Sequence, residues 1–212
     1  MTEDLAIQIA ATEPLDGWCP LDKAVELAEM VLAEKPKLIV EIGVFGGRSI
    51  IPMALAAKVN DNDPQVIGID PWAVGPVLEG TNSKENDLYW SSLDLEKIFA
   101  DYERNLVKFG VAHFTLTLRM TDEFACHHFK PESIDFLHID GNHSPEVSMR
   151  YVTQWVPLVK PGGVIIFDDV LWDSQKGAVE ILERSFRRVS WKELGNKGSW
   201  AIYRKEPNAV TD

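Results

Sequence analysis

Acidic side chains at the ends of apolar runs are the residues of this sequence best placed to do chemistry. Asp70 ends the run QVIGID, Asp140 ends SIDFLHID, and Asp168 and Asp169 end VIIFDD. Because ligands of parallel α/β sheets bind at the carboxyl ends of the strands, we expect these side chains at one edge. Carboxylates that lie close together repel one another unless a cation or protons intervene. The pattern predicts a divalent ion, Mg²⁺ first and Mn²⁺ or Ca²⁺ as alternatives, bound by Asp140, Asp168 and Asp169.

A glycine-rich turn, EIGVFGGRS over residues 41–49, separates one apolar run from a helical pattern. Glycine tolerates a positive φ and lets a ligand approach the backbone closely. The spacing is not G-x-G-x-x-G, and no Gly-Lys-Ser/Thr follows, so a triphosphate ligand is disfavoured. Asp70, 27 positions after Gly43, is suited to accept hydrogen bonds from ribose hydroxyls. Together, the turn and this carboxylate favour a ligand that carries a ribose.

These residues also have a purely structural interpretation, which the sequence leaves open. The glycine turn is then a plain tight connection, and Asp70 is a loop carboxylate or a helix cap. Asp168 or Asp169 caps a following helix, and Asp140 forms a salt bridge.

Hydrophobic periodicity predicts the elements that position these residues. Strands are predicted at the apolar, β-branched runs 38–43, 65–70, 113–118, 133–140 and 164–169. Helices are predicted at 22–34, 50–58, 145–158 and 176–186, with an amphipathic stretch at 88–106. A terminal antiparallel hairpin is predicted from residues 188–194 and 199–205, separated by Gly195-Asn196-Lys197-Gly198.

The alternation of strands and helices predicts an α/β fold of βαβ units. We expect a doubly wound, Rossmann-like sandwich with a mostly parallel, seven-stranded sheet that ends in the antiparallel hairpin. Residues 1–212 are predicted to form a single domain with a helical N-terminal segment at 1–35. Residues 73–105 exceed the length that one crossover needs, so a lid or insertion is predicted there.

Composition excludes several classes of protein. The 212 residues are 45% hydrophobic and 25% charged, as in soluble globular domains. A net charge of −12 disfavours nucleic acid and anionic membranes as partners. No apolar run approaches the roughly 18 residues of a membrane span, the acidic N-terminus lacks the basic region of a signal peptide, and Cys19 and Cys126 are expected to be reduced. We expect a cytoplasmic protein that binds a small molecule; a homo-oligomer is left open.

The motifs together resemble a known family. EIGVFGGRS, VIGIDPW and SIDFLHIDGNHSPEVSMRYVTQWVPLVKPGGVIIFDDV are similar to class I S-adenosylmethionine-dependent methyltransferases, of the methyltransferase-domain family 24 type. The resemblance covers residues 38–173 and depends most on the pairing of IDGNH with KPGGVIIFDD. That branch is related to catechol-type O-methyltransferases and to metal-dependent O-methyltransferases of macrolide and aminocoumarin sugars. Catechol-type enzymes often have Asp-Asn at Asp168-Asp169, so a catechol acceptor is less favoured.

The resemblance implies roles for individual residues. Eight residues are implied to contact the cofactor: Glu41, Gly43, Gly47, Ser49, Asp70, Met120, Thr121 and Asp140. The first four line the methionine part and the sulfonium, Asp70 binds the ribose, and Met120 and Thr121 lie beside adenine. Asp140 recurs in the metal site with Asp168 and Asp169.

Methyl transfer to an alcohol is an in-line attack of oxygen on the methyl carbon of a sulfonium, which requires an aligned and nucleophilic oxygen. A divalent metal on Asp140 orients vicinal hydroxyls and makes them more acidic. His143, three residues later on the same loop, is the predicted general base; a structural, hydrogen-bonded histidine is the alternative. We predict metal-assisted O-methylation of a small hydroxylated metabolite, a sugar or polyketide-type natural product, with His143 and Asp140 as catalytic residues.

Two other functions stay open. An NAD-dependent oxidoreductase of Rossmann fold shares the glycine turn and the acidic ribose residue, but the sequence lacks G-x-G-x-x-G and Tyr-x-x-x-Lys. A cofactor-binding module without catalysis is the other alternative, and the complete set of aspartates argues against it.

Overall fold

Strand β1, Leu38–Ile42, lies inside a seven-stranded sheet with the order β3-β2-β1-β4-β5-β7-β6. The computed structural model describes residues 1–60, 62–195 and 198–206. The other strands are β2 (Gln65–Ile69), β3 (Thr115–Leu118), β4 (Ile134–Ile139), β5 (Val159–Asp168), β6 (Arg187–Glu193) and β7 (Ser199–Arg204). β7 pairs antiparallel with β5 and β6, and the other pairs are parallel. The predicted fold class is confirmed, while Asn196 and Lys197 of the predicted hairpin turn lie outside the described residues.

Nine helices connect or flank these strands in the described parts of the chain. They are α1 (Glu3–Ala10), α2 (Leu21–Glu34), α3 (Ile50–Val59), α4 (Val74–Val77), α5 (Lys84–Ser91), α6 (Leu95–Lys108), α7 (Asp122–Ala125), α8 (Pro145–Arg150) and α9 (Lys176–Ser185). Short 3₁₀ turns lie at Cys126–His128, Val156–Leu158 and Asp173–Gln175. Across these ranges, no helix combines the length and the apolar character that crossing a membrane requires.

Apolar side chains on both faces of the sheet are buried under helices. Ile39 and Phe136 belong to the cluster covered by α1, α2, α3 and α6. Val40 and Leu137, the next residues along the same strands, belong to the cluster covered by α8 and α9. Because successive side chains of a strand point to opposite faces, a strand buried on both sides must be apolar throughout. This explains why the strands read as continuous apolar runs.

Two predicted helices are interrupted, each for a local reason. The amphipathic stretch 88–106 divides into α5 and α6, because Asp94 caps the second helix by accepting a hydrogen bond from the backbone N–H of Lys97 at 3.0 Å. The helix predicted over 145–158 is α-helical only to Arg150. It then widens into a π-helical turn and ends in a 3₁₀ turn at Pro157, which has no N–H to continue the ladder.

Helix α2 is tied to strand β7 at two points. The indole Nε1 of Trp200 donates a hydrogen bond to Oε2 of Glu26 at 2.8 Å. Farther along the helix, the guanidinium of Arg204 pairs with Glu34. The position of α2 relative to the sheet is therefore fixed by side chains of the last strand as well as by its own apolar face.

Replacing Ile39 by Ala tests the packing of the sheet. Ile39 is fully buried on β1, so the Ile39→Ala substitution is expected to lower the free energy of unfolding by about 2–5 kcal/mol. Leu116, which is 47% exposed on β3, is the matched control. Leu116→Ala is expected to change the free energy of unfolding by less than about 0.5 kcal/mol. Urea unfolding of both variants measures the difference. Equal losses in the two variants would contradict the assignment of Ile39 to the core.

Candidate functional site

A cavity of about 1510 Å³ lies at the carboxyl edge of the sheet. Residues at or just after the ends of β1, β2, β4 and β5 line it, namely Gly43, Asp70, Asp140, Asp168 and Asp169. The loop before α2 and the segment after β2 contribute further walls. The glycine turn and the aspartates that the sequence singles out therefore face one shared space.

The glycine turn after β1 runs against the end of β4 with no room for side chains. Gly43 has a φ of +85°, and a Cβ there would lie 2.1 Å from the carbonyl oxygen of Asp140. Gly47 has a φ of +87°, and a Cβ there would lie 2.8 Å from the ring of Tyr102. Both the backbone conformation and the close packing therefore require glycine at these two positions.

Asp70 braces this turn from β2. Its Oδ2 accepts hydrogen bonds from the backbone N–H groups of Val44 and Phe45, both at 3.0 Å, and its Oδ1 accepts one from Trp72 at 2.8 Å. Burial raises the pKa of Asp70, and the three amides act in the opposite direction. An ionised carboxylate has about four acceptor positions, so one remains for a ligand. Its predicted contact with a ribose stays a prediction.

Five of the eight residues predicted to contact the cofactor line the cavity: Gly43, Ser49, Asp70, Thr121 and Asp140. The other three do not reach it in this arrangement. Glu41 is fully buried, Gly47 faces Tyr102, and Met120 packs against the apolar cluster on one face of the sheet.

Glu41 and His138 form a pair inside the sheet, on adjacent strands. Oε1 of Glu41 lies 2.7 Å from Nδ1 of His138, and both side chains are fully buried. Burial raises the pKa of Glu41 to about 8, against a hydrogen bond from Ser49. Burial lowers the pKa of His138 to about 3, and the positive charge of Lys23 acts in the same direction. Both pKa shifts favour the uncharged form of the pair, a protonated carboxyl and a neutral imidazole.

Lys23, in the first turn of α2, reaches the carboxylates that follow β4 and β5. Its Nζ lies 3.1 Å from Oδ2 of Asp140 and donates a hydrogen bond to Oδ2 of Asp168. Only 3% of Lys23 is exposed. Burial by itself lowers the pKa of Lys23, but the contributions that raise it, led by the carboxylate of Asp140, prevail. The site therefore contains a buried, charged ammonium that the sequence analysis does not anticipate.

Two of the three predicted metal ligands come together. Asp140, Asp168 and His138 each offer a ligand atom, and these atoms lie within 4.8 Å of one another. Nε2 of His138 is 3.5 Å from Oδ1 of Asp168. Asp169 adopts a left-handed φ of +51°, and its carboxylate pairs instead with His143. Within the described residues, the cluster contains His138 where the sequence predicts Asp169.

His143 lies beside Asp140, as predicted, and both of its ring nitrogens have partners. Nε2 is 3.1 Å from Oδ2 of Asp169 and 3.9 Å from Oδ1 of Asp140. Nδ1 is 2.6 Å from the side-chain amide of Gln175, and the ring of Trp172 lies 5.1 Å away. To accept a proton, the imidazole must give up one of these contacts. The role of general base stays a prediction.

Aromatic rings from three segments meet at one side of the cavity. The ring of Trp18, from the loop before α2, lies 5.2 Å from that of Phe45 in the glycine turn. It also lies 5.8 Å from Tyr89 and 5.7 Å from Trp90, both on α5. Trp18 is 60% exposed, and all four aromatic residues line the cavity, so this aromatic cluster forms an apolar wall.

Asn142 connects the segment 73–105 to the end of β4. Its side-chain Nδ2 donates hydrogen bonds to the carbonyl oxygens of Pro76, Val77 and Glu79, at 3.0–3.2 Å. The asparagine of the IDGNH motif therefore holds the short helix α4 next to the cavity. Opening and closing of the segment as a lid stays a prediction.

Sequence reasoning missed Lys23, although a signal was present. Lys23 lies four residues before Leu27, on the apolar stripe of α2, where a charged side chain is rarely buried unless it is paired. Trp18 and Asn142 gave no comparable signal, because their partners lie far away in the sequence.

The Glu41–His138 pair predicts a pH dependence of stability. Because the pKa of Glu41 is raised to about 8 by folding, its contribution to stability is present below about pH 4.5 and is lost as the pH rises through 8. Glu41→Gln removes this titration. The free energy of unfolding of wild type should fall relative to that of the variant between pH 5 and 8, by up to about 1.4 kcal/mol per pH unit. Urea unfolding of both proteins at several pH values measures this difference in the free energy of unfolding. A difference that does not change with pH would contradict the raised pKa of Glu41.

Comparison with known proteins identifies the family of the chain. Residues 40–170 match the profile of a methyltransferase domain, family 24, which is more than half of the chain. The caffeoyl-CoA O-methyltransferase of Stellaria longipes is 25% identical over 192 residues, which cover 90% of this chain and 66% of that protein. The chain spans between 14% and 66% of the length of the curated relatives it matches.

Two crystal structures share the fold. The O-methyltransferase TomG of Streptomyces achromogenes, involved in tomaymycin synthesis and solved with SAM, has a TM-score of 0.67 at 18% identity, with 97% of this chain and 91% of that one covered. The O-methyltransferase of Bacillus cereus, solved with SAH, has a TM-score of 0.66 at 17% identity, with 97% and 92% covered. By its sheet order, its glycine turn and the match over residues 40–170, the chain belongs to the class I S-adenosylmethionine-dependent methyltransferases, in methyltransferase-domain family 24.

Proposed function

We propose that the protein transfers a methyl group from S-adenosylmethionine to a hydroxyl oxygen of a small molecule. The observation that carries this proposal is the shared cavity, in which the glycine turn and Asp70 face the same space as Asp140 and His143. A cofactor on the first pair and an acceptor near the second pair would be in contact. The O-methyltransferase relatives support oxygen as the methylated atom.

The chemistry needs alignment and a proton acceptor. The acceptor oxygen attacks the methyl carbon in line with the carbon–sulfur bond, the electron pair of that bond goes to sulfur, and the hydroxyl proton leaves. In our proposal, His143 takes the proton at Nδ1, which gives up its contact with Gln175, while Asp169, 3.1 Å from Nε2, accepts the ring N–H and orients the ring. Asp140 lies between the glycine turn and His143, which supports a role for it close to the reacting atoms.

The metal-assisted form of the reaction fits this arrangement less well. A divalent ion needs unoccupied carboxylate oxygens at about 2.0–2.6 Å. Oδ2 of Asp140 and Oδ2 of Asp168 are both engaged by the ammonium of Lys23, and Asp169 is engaged by His143. Oδ1 of Asp168 has no hydrogen-bond partner among the described residues, but an ion bound there would lie next to the ammonium of Lys23. The residues therefore do not fit a divalent ion while the charged Lys23 is in place, and the proposed reaction has no step through one.

The acceptor is proposed from the cavity walls. The aromatic cluster of Trp18, Phe45, Tyr89 and Trp90 suits the apolar face of a sugar or of a polyketide-type ring. Trp172, 49% exposed beside His143, offers a second such surface. A small hydroxylated natural product with an apolar face matches both.

Cofactor binding is the first expected outcome. S-adenosylhomocysteine should bind wild type with a micromolar dissociation constant, about −8 kcal/mol. Asp70→Ala should weaken binding by about 1.5–3 kcal/mol, through the loss of a charge-assisted hydrogen bond and of the brace on the turn. Glu103→Ala, an exposed carboxylate on α6, is the control and should not change the affinity. Isothermal titration calorimetry measures all three; binding of NAD in place of S-adenosylhomocysteine would refute the proposal.

Removal of His143 tests the general base. His143→Ala should lower turnover by about 10²–10⁴-fold and abolish the acidic limb of the pH–rate profile, with the affinity for S-adenosylhomocysteine kept. His128→Ala, an exposed histidine outside the cavity, is the control. Turnover is measured with radiolabelled methyl donor on the acceptor found by screening hydroxylated metabolites. Unchanged turnover and pH profile in His143→Ala would show that another group takes the proton.

A further inference from the structure

The ammonium of Lys23 lies between carboxylates that belong to neighbouring strands. Its Nζ is 3.1 Å from Oδ2 of Asp140 and hydrogen-bonded to Oδ2 of Asp168, across 117 and 145 residues of sequence. Among the residues that the structure describes, no other lysine or arginine pairs with either carboxylate. The two strand ends therefore share a single side-chain ammonium.

Lys23 is held in this position by the helix that carries it. The next apolar residues of α2, Ala24 and Leu27, are buried against the sheet, and the ring centroid of Trp200 lies 6.0 Å from Nζ. With 3% of the residue exposed, the ammonium has almost no contact with solvent. A buried charge of this kind is stable only while its partners stay ionised and close, so Lys23 and the two aspartates form one structural unit.

We propose that the ammonium of Lys23 is the cation that balances Asp140 and Asp168, in the position that a divalent ion would occupy if the lysine were absent. The ammonium holds Oδ2 of Asp140 and of Asp168, so an ion bound through a remaining oxygen would lie next to it. Oδ1 of Asp168, which accepts no hydrogen bond in the part of the chain that the structure describes, is such an oxygen. A divalent ion beside the ammonium would also bring three positive charges into a space with little screening. The lysine therefore excludes the ion, and the protein works without a metal at this position.

An ammonium in the place of a divalent ion changes how an acceptor is held. This step rests on the proposed O-methylation. An ammonium has three N–H donors, and the carboxylates of Asp140 and Asp168 take two of them. The third is left for an oxygen of the acceptor in the cavity that Lys23 lines. One N–H needs one oxygen, whereas a chelating metal selects two vicinal oxygens. Lys23 is therefore a positioning residue that favours acceptors with an isolated hydroxyl.

The test is a titration with MnCl₂ followed by electron paramagnetic resonance of the free ion. Wild type is expected to bind no Mn²⁺ below millimolar concentrations. Lys23→Met, which frees the two carboxylates, is expected to bind one Mn²⁺ at least tenfold more tightly than wild type. Lys160→Met removes a lysine that pairs with Asp135 away from the cavity, so this control should behave as wild type.

Thermal unfolding gives a second measurement that does not depend on turnover. MnCl₂ should raise the unfolding temperature of Lys23→Met by several degrees and leave wild type unchanged, because only the variant offers the ion a site. Calorimetry with S-adenosylhomocysteine on the same samples separates this question from the proposed activity. Failure to bind that ligand would count against methyl transfer without affecting the Mn²⁺ result.

Two results would overturn the proposal. One is tight binding of a single Mn²⁺ by wild type, which is decisive even if Lys23→Met does not fold. The other is a folded Lys23→Met that binds Mn²⁺ no better than wild type, because the carboxylates would then form no metal site even without the lysine.

Discussion

The contact between the glycine turn and the end of β4 is the constraint on which the site depends. The backbone N–H of Asp140 donates to the carbonyl of Ile42, and that of Gly43 donates to the carbonyl of Ile69, both at 2.9 Å. These bonds continue the parallel sheet by one residue beyond its strands and bring the chain at Gly43 against Asp140. The region suited to a cofactor and the region suited to an acceptor are therefore joined through backbone, which leaves little freedom in their relative position.

Burial determines which acidic residues at the carboxyl edge of the sheet carry a charge. Burial favours the uncharged forms of Glu41 and His138, which add no charge beneath the carboxylates of Asp140 and Asp168. A single ammonium then balances part of their charge, and Asp169 is directed away toward His143 by its left-handed backbone. The three aspartates, which would repel one another in isolation, are thereby divided into two groups: Asp140 and Asp168 around Lys23, and Asp169 beside His143.

The fold was predictable because its signals are local. Continuous apolar runs and the helical spacing between them identify β1 to β5 and most helices. Boundaries differ where Asp94 divides one predicted helix, where α8 ends at Arg150 and not at 158, and where β5 begins at Val159 and not at 164. Placement of Gly43, Asp70 and Asp140 at one edge follows from parallel strands alone. The partner of the aspartates did not follow, because Lys23 reaches them through the packing of α2 on the sheet. Lys23 pairs with residues 117 and 145 positions away, which local sequence spacing cannot predict. The one local signal is a charged residue on the apolar stripe of α2.

The ties between α2 and β7 have a consequence for the order of events during synthesis. Lys23 leaves the ribosome 145 residues before Asp168, an interval of about 7–30 s at ordinary elongation rates. The bonds of Trp200 to Glu26 and of Arg204 to Glu34 form later still. Asp140, the first carboxylate partner of the ammonium, follows 117 residues after Lys23, and Asp168 completes the set only 145 residues after it. The set of side-chain contacts that fixes α2 on the sheet is therefore complete only after the last strand, β7, has been synthesised.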